Sequence, residues 1–390
     1  MEFDADIIVV GGGLTGPALA LASALAGASV IVLDAGPAPA ADAPAFDGRS
    51  YAVALGSQNL LRALGVWEHV APNAQPILDI VVSDGRAGQG VSPLFVHFDH
   101  REIEEGPFGA LVEDRHLRVA LHAAATRHAA VEIRHGARVR AQAVTQTGAE
   151  VSLEDGTTLH ARVLVGCDGR QSGVAARAGI RRLGWDYDQT SLVCAIAHAK
   201  PHEGTAHQIF LPPGPLAILP LQGDQSAIVW TESRARAQAI MELGDADYIA
   251  ELRPRFGDFL GEISLVGQRY AYPLGLTLAE RFVAPRVALV GDAAHGIHPI
   301  AGQGLNLGFR DIAAFAEVIS DGRRRGEDIG AAPVLARYQT WRRFDTSLLA
   351  VATDGFNRLF SNDHPLLRHV RDVGLGAVNR LPPLRRGFMR

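Results

Sequence analysis

A chain of 390 residues with 47% hydrophobic and 20% charged residues is long enough for a large core and two lobes, and too apolar to be disordered. Its net charge of −5 and the lack of any zinc-finger or RRM signature argue against nucleic-acid binding. Cys167 and Cys194 are too few for a disulfide framework or a thiolate zinc site, and no apolar run reaches the ~18 residues of a bilayer span; without a signal-peptide pattern, a cytoplasmic location is expected.

The first unit reads strand–turn–helix–strand. Ile7 to Val10 is a β-branched run suited to a buried parallel strand. Gly11, Gly13 and Gly16, with Leu14 and Thr15 between them, form GxGxxG. Ala18 to Ala26 is an apolar helix ended by Gly27, and Val30 to Leu33 is a second strand. Asp34 closes that strand 18 residues past Gly16, near the ~20 expected when an acid binds an adenosine ribose. From this alone, either NAD or FAD fits.

Pro37 to Pro44 reads as a surface loop. Gly56 to Leu64 and Asp114 to His128 read as helices, and Val131 to Val139 and Ala149 to Leu153 as strands with a hairpin turn at Asp155–Gly156. Arg162 to Val165 is a buried strand running into Asp168–Gly169. Thr190 to Ala199, His207 to Leu211, Ala217 to Leu221 and Ser226 to Thr231 have strand character, with Pro/Gly turns between them. They predict an antiparallel sheet inserted between parallel strands, with a helix over Ala235 to Phe256 covering one face.

Arg286 to Asp311 carries the most information. It predicts a strand (Val287 to Val290), a loop holding Gly291, Gly296, Gly302 and Gly304, and a helix from Gln303. Backbone without Cβ can lie against a flat ligand, Asp292 can accept bonds from a polyol, and the helix N-terminus favours an anionic ring. His295 and His298 lack partners of suitable type and spacing for a metal, so none is expected.

Together these segments resemble the single-component FAD aromatic hydroxylases, the group of p-hydroxybenzoate hydroxylase, and within it the ubiquinone-biosynthesis hydroxylases. Phe46 to Trp67, Gly214 to Leu221, Tyr272 to Leu276, His298 to Gly308 and Asp354 to Asp363 carry the resemblance, which covers nearly the whole chain. It implies an α/β fold: a Rossmann-like FAD-binding domain (1–75, 106–182 and 284–330), an inserted β-sheet substrate domain (76–105 and 183–283) and a C-terminal helical region (331–390). It implies that Gly11, Gly13 and Gly16 hold the FAD pyrophosphate and Asp34 the ribose. Arg49 and Arg115 would contact the phosphate and ribityl region. Asp168 would lie near the pyrophosphate and a passing NAD(P)H, and Gly291 and Asp292 at the ribityl chain. Pro299 and the backbone of Gly302, Gln303, Gly304, Leu305 and Asn306 would line the flavin. Two departures stand out: Asp34 replaces the usual Glu, and Ala175 and Ala176 stand where the family's DG segment carries Arg.

The resemblance further implies a monooxygenase. Reduced FAD takes up O2, and a C4a-hydroperoxyflavin passes one oxygen atom to the ring of a polyprenylated phenol inside an apolar chamber. Leu216, Ile218, Leu219 and Leu221 are expected to cover the substrate. No side chain is identifiable as the phenol base. From Asp354 onward the tail holds seven arginines and three aspartates among apolar residues that include Leu366, Leu367, Val370 and Leu375. That pattern suits either a helix packed on the first lobe or a peripheral contact with the inner face of the cytoplasmic membrane, alongside a quinone-biosynthesis protein complex. A hydroxylase of a small soluble phenol and a non-catalytic FAD-bound scaffold are the alternatives.

Overall fold

The computed structural model describes residues 2–39, 46, 48–88, 90–103, 105–361, 379 and 381–389. In chain order, β1 (Ala5–Val10) is buried along almost its whole length, as a central parallel strand requires. It leads into α1 (Thr15–Leu25), and Gly27, at φ +89°, turns the chain into β2 (Val30–Asp34). β3 (Ser50–Ala54), α2 (Leu55–Ala63), the single turn α3 (Trp67–Val70) and β4 (Ala74–Ile77) follow. β5 (Asp79–Arg86) and β6 (Gly90–Asp99) leave for the second lobe, and β7 (Gly109–Glu113) returns to lie between β3 and β4. Next come α4 (Asp114–Arg127), β8 (Val131–His135), β9 (Val139–Val144), β10 (Ala149–Leu153), β11 (Thr158–Gly166) and α5 (Gly173–Arg177). The predicted strand over Val131 to Val139 is thus the whole of β8 and the first residue of β9, parted at Gly136, which sits at φ +69°. Part of the predicted Pro37 to Pro44 loop lies outside the described residues.

The second lobe contains β12 (Arg182–His198), β13 (Thr205–Leu211), β14 (Gly214–Pro220) and β15 (Gln225–Ser233). Helices α6 (Arg234–Met241) and α7 (Asp245–Phe256), and β16 (Ile263–Ala279), complete it. The single helix expected over Ala235 to Phe256 is therefore two. The chain re-enters the first lobe through β17 (Val283–Ala284) and β18 (Val287–Leu289), then forms β19 (His295–Gly296), α8 (Gln303–Arg324), α9 (Ala332–Phe360) and α10 (Pro382–Met389).

The first sheet runs β17–β18–β11–β1–β2–β8, parallel from β18 to β8, with the β9–β10 hairpin added antiparallel to the start of β11. The second runs β19–β16–β12–β15–β14–β13–β5–β6. It is not wholly antiparallel as expected: β13 and β5 pair in parallel, because β5 enters from the first lobe more than a hundred residues earlier. Two apolar clusters match the lobes. One surrounds β1, β2, β11 and β18; the other fills the space between β12–β15 and the helices α6 and α7. At the far end of α9, Phe360 stacks on Phe210 of β13 at 4.1 Å between ring centres, and Asn357 donates to Gln189 at 3.1 Å. Arg385 of α10 pairs with Glu102 at 2.8 Å, so the tail's last helix docks beside the second lobe. Leu366, Leu367, Val370 and Leu375 lie outside the described residues.

Candidate functional site

The C-terminal ends of β1, β11 and β18 lie side by side, and the GxGxxG, Asp168–Gly169 and Gly291–Asp292 segments leave from them. The first turn is closely packed. A Cβ on Gly11, whose φ is +113°, would fall 2.3 Å from the Cys167 carbonyl oxygen, and one on Gly16 would fall 1.8 Å from the Gly11 carbonyl oxygen. Gly12 lies outside the fingerprint, yet a Cβ there would fall 2.3 Å from Oδ2 of Asp34. Its only sequence signal is the run of three glycines. Gly13 differs: a Cβ there meets nothing within 4 Å, so its backbone faces open space at the start of α1. Gly304, in the first turn of α8, is open in the same way. Leu14 is buried, and Thr15 sits 3.1 Å from where a Cβ on Gly291 would stand, which brings α1 against the loop before α8. Two helix N-termini and a gap between them make a cradle for an anionic ligand with a flat part.

Asp34 accepts from the Gly36 N–H at 3.0 Å and lies 3.6 Å from His135 Nδ1. Asp168 lies beside the Gly11 turn. One of its carboxylate oxygens accepts from Ser172 Oγ at 2.5 Å and the other from the Val174 N–H at 3.0 Å. The side chain therefore holds the start of α5, and only its backbone borders the Gly11 turn. Asp292 is half-exposed and lies 3.4 Å from Arg170 Nε. Beside that pair runs an open groove of about 490 Å³, lined by Arg170, Arg182, Trp185, Asp186 and Leu276 among others.

Arg49 and Arg115 belong to a network that single-residue reading missed. Buried Asp114 accepts from Tyr51 Oη at 3.0 Å and from Arg118 Nε at 2.9 Å, with Arg49 at 3.4 Å. Burial, then Asp114, raises the Tyr51 phenol. Arg115 donates to Glu113 at 2.6 Å and lies over the Phe46 ring. The two arginines thus stand beside Phe46 and the Tyr51–Asp114 pair.

Beyond Pro299, Gly302 at φ +62° starts α8. Leu305 packs against the first-lobe core. The Asn306 amide is fully used. Its oxygen accepts from the Ala54 N–H at 2.9 Å and Ser57 Oγ at 2.7 Å, and its nitrogen donates to the Ala52 and Gly302 carbonyls at 2.8 and 3.0 Å. This side chain ties β3 and α2 to the start of α8. Gln303 is also engaged. Beneath the loop, Asp311 accepts from His295 Nε2 at 2.5 Å, from Arg342 Nε at 2.7 Å and from the Gly291 N–H at 2.9 Å, all buried. Burial works to raise its carboxyl, but His295 and Arg342 outweigh that and hold it below the usual carboxylate range. His298 is fully buried against Tyr187, neither ring nitrogen has a partner, and burial pushes it down to about 4.

The second sheet turns one face to the cradle, and alternation decides which residues line it. Leu216, Ile218, Ile228 and Trp230 point into the cluster under α6 and α7. Leu219 and Leu221 point the other way, toward Phe46, Ala52 and Leu111. The expected cover of four leucines and isoleucines is therefore corrected: Leu216 and Ile218 hold the sheet to its helices. On the face that carries Leu219, the residues at alternate positions, Val193, Ala217 and Val229, are only half-buried, an apolar surface left partly uncovered. Burial raises both thiols, Cys194 to about 11. Among the described residues no group of three or more metal-ligating side chains is present, and no helix is long and apolar enough to cross a membrane.

The family profile described as FAD binding domain matches residues 4–328. The chain is 45% identical to ubiquinone hydroxylase UbiL of Rhodospirillum rubrum, over 99% of this chain and 89% of that protein. It is 35% identical to 3-demethoxyubiquinol 3-hydroxylase of Escherichia coli, over 99% and 97% of the two chains. The crystal structure of p-nitrophenol 4-monooxygenase PnpA from Pseudomonas putida superimposes with a TM-score of 0.80 at 20% identity, covering 100% of this chain and 97% of that one.

Proposed function

We infer the reaction from the premise that this chain belongs to the FAD-binding aromatic monooxygenases, in the family of the ubiquinone hydroxylases. It takes FAD as cofactor and NAD(P)H as reductant. The reading is hydroxylation of the aromatic ring of a polyprenylated phenol, a step of quinone biosynthesis. One observation carries it: a partly uncovered apolar sheet face meets Ala52, the neighbour of Gly302, beside a cradle that is sealed at Gly11 and Gly16 but open at Gly13 and Gly304. A Cβ at either open glycine would project into the space a dinucleotide needs, so the residues present fit FAD.

In this reading the N-termini of α1 and α8 receive the pyrophosphate and the flavin edge, with Gly11, Gly13, Leu14, Thr15 and Gly16 at the first. Asp34 accepts from the ribose, and Asp292 from the ribityl chain. Arg49 and Arg115 supply positive charge, already oriented by Asp114 and Glu113. Pro299 and the backbone of Gly291 and of Gly302 to Asn306 wall the ring. Bound FAD supplies the electron transfer and oxygen activation. The protein excludes water: Val193, Ala217, Leu219 and Val229 meet the phenol ring and keep the chamber apolar. The reductant approaches along the groove at Arg170 and Arg182, where two guanidinium groups suit a pyrophosphate and Trp185 offers a flat face. The division of labour we propose assigns 1–75, 106–182 and 284–330 to FAD, 76–105 and 183–283 to substrate, and 331–390 to helical support. The prenyl chain of the substrate calls for a peripheral membrane contact, which the arginine-rich tail supplies.

The test uses the purified full chain loaded with FAD. NAD(P)H oxidation should rise on adding a prenylphenol, with a product one oxygen heavier by mass spectrometry. Oxidation coupled only to hydrogen peroxide, with every prenylphenol and simple phenol offered, refutes the reading.

A further inference from the structure

Helix α9 has two apolar faces. Val334, Leu335, Tyr338, Arg342, Thr346, Ala350, Thr353, Asn357 and Phe360 are its buried positions. On another side, Trp341, Phe344, Leu348 and Val351 stand in water, 50%, 77%, 60% and 71% exposed. Their spacing of three, four and three residues is a heptad seam, the pattern that seats a second helix rather than decorating a solvated face. Thr340 and Ser347 flank the seam on one side and Asp345 and Ala352 on the other, and beyond Gly355 the stripe continues into the half-exposed Phe356 and Leu359.

The order three–four–three reads the same in both directions. Two antiparallel copies of α9 related by a two-fold axis would place Trp341 opposite Val351 of the other copy, and Phe344 opposite Leu348. Each layer then sets a large side chain against a smaller one. The next pair outward is Arg337 against Gly355, where the absent side chain leaves room for the arginine stem. No two like charges meet across the axis: Arg337 already pairs with Glu327, and Asp345 with Arg342. The four side chains together expose roughly 400–500 Å², in the upper range for the largest apolar patch on a monomer. Two copies hide about twice that, and the flanking residues carry the total past the ~1,000 Å² a specific interface needs.

We propose that this chain forms a two-fold symmetric dimer through antiparallel pairing of α9, with Trp341, Phe344, Leu348 and Val351 as the seam. The FAD-loaded full chain should weigh twice its 41.5 kDa by sedimentation at about 10 µM. Phe344→Glu buries a charge at two symmetric places and should weaken association by at least about 100-fold, giving the monomer with FAD content unchanged. Phe259→Glu, at another exposed aromatic on the second lobe, should stay dimeric. Register is tested by mixing Phe344→Cys and Leu348→Cys proteins under oxidising conditions. An interchain disulfide should form in the mixture and in neither protein alone. A chain that is monomeric up to about 50 µM overturns the proposal. So does a dimer indifferent to Phe344→Glu, or cross-linking of either cysteine variant with itself. Should the monomeric chain bind anionic phospholipid vesicles through Trp341 and Phe344, the seam is a lipid contact and the dimer is refuted.

Discussion

Replacing Asn306 by alanine tests the claim that one amide holds the wall of the cofactor cradle. The side chain is 2% exposed and makes four hydrogen bonds, three of them to backbone groups of Ala52, Ala54 and Gly302. A buried hydrogen bond contributes about 1 kcal/mol net, and an orphaned backbone partner costs about 1–3 kcal/mol. Ser57 can rotate its hydroxyl, and water can enter the space left, so a loss of about 3 kcal/mol is expected rather than the full sum. For a chain of this size that is a fall of roughly 3–4 °C in melting temperature. Because the bonds join β3 and α2 to the start of α8, the damage should concentrate on FAD. Its dissociation constant, followed by recovery of flavin fluorescence on dilution, should rise at least tenfold, while circular dichroism of the apoprotein changes little. If Asn306→Ala melts within about 1 °C of the parent and keeps its FAD, the bracket is not what holds the cradle, and the reasoning fails.

The two central glycines of the first turn should respond differently. Gly12→Ala drives a methyl to 2.3 Å from the Asp34 carboxylate and 2.6 Å from Asp34 Cβ, so no rotamer of Asp34 relieves it; the variant should lose both thermal stability and FAD. Gly13→Ala enters open space and should leave the apoprotein's melting unchanged while weakening FAD binding at least tenfold; equal behaviour of the two variants would refute the assignment of that space. His298 is held neutral by burial, at about 4 against 6.5 when unfolded, so the unfolded chain takes up the extra proton. The stability this contributes is complete above pH 6.5 and lost as pH falls from 6.5 to about 4, and His298→Gln should flatten the urea midpoint over that window by up to about 1.4 kcal/mol per pH unit; an unchanged slope contradicts it. Asp311→Asn takes away the one fully buried carboxylate shared by His295 and Arg342, leaving Arg342 only the half-exposed Asp345, and should cost about 3 kcal/mol in urea unfolding, with Asp311→Leu/Arg342→Met recovering much of it; a loss under about 1 kcal/mol in the single variant would show the triad to be dispensable.

Elements with a clean period were legible from residues alone. β10 runs from Ala149 to Leu153 as expected, and α8 begins at Gln303. β12 was expected from Thr190 but starts at Arg182, because Asp186 to Asp188 break the alternation: Asp188 sits at φ +55° and the pairing with β16 shifts register there. β16 escaped notice for a related reason. Gly267, Pro273 and Gly275 look like turn residues, and only pairing with β12 along its length makes them a strand. In the site, the three glycine-bearing segments were visible because their chemistry is local to a few residues. The hydrogen-bond partners of Asp168 and Asn306 were not, since they lie around the turn or elsewhere in the chain. The face of Leu216 and Ile218 depended on where α6 and α7 pack, which alternation cannot say.

The neighbour of β11 in the first sheet is β18, and the whole of β12 to β16 is made between them. During synthesis at about 5–20 residues per second, that half of β11 waits some 6–24 seconds for its partner. Throughout that interval the nascent protein shows an open edge of β-branched residues and a floor for dinucleotide without its far wall. The three strand ends from which the glycine-bearing turns leave therefore stand together only once Val287 to Leu289 have been made.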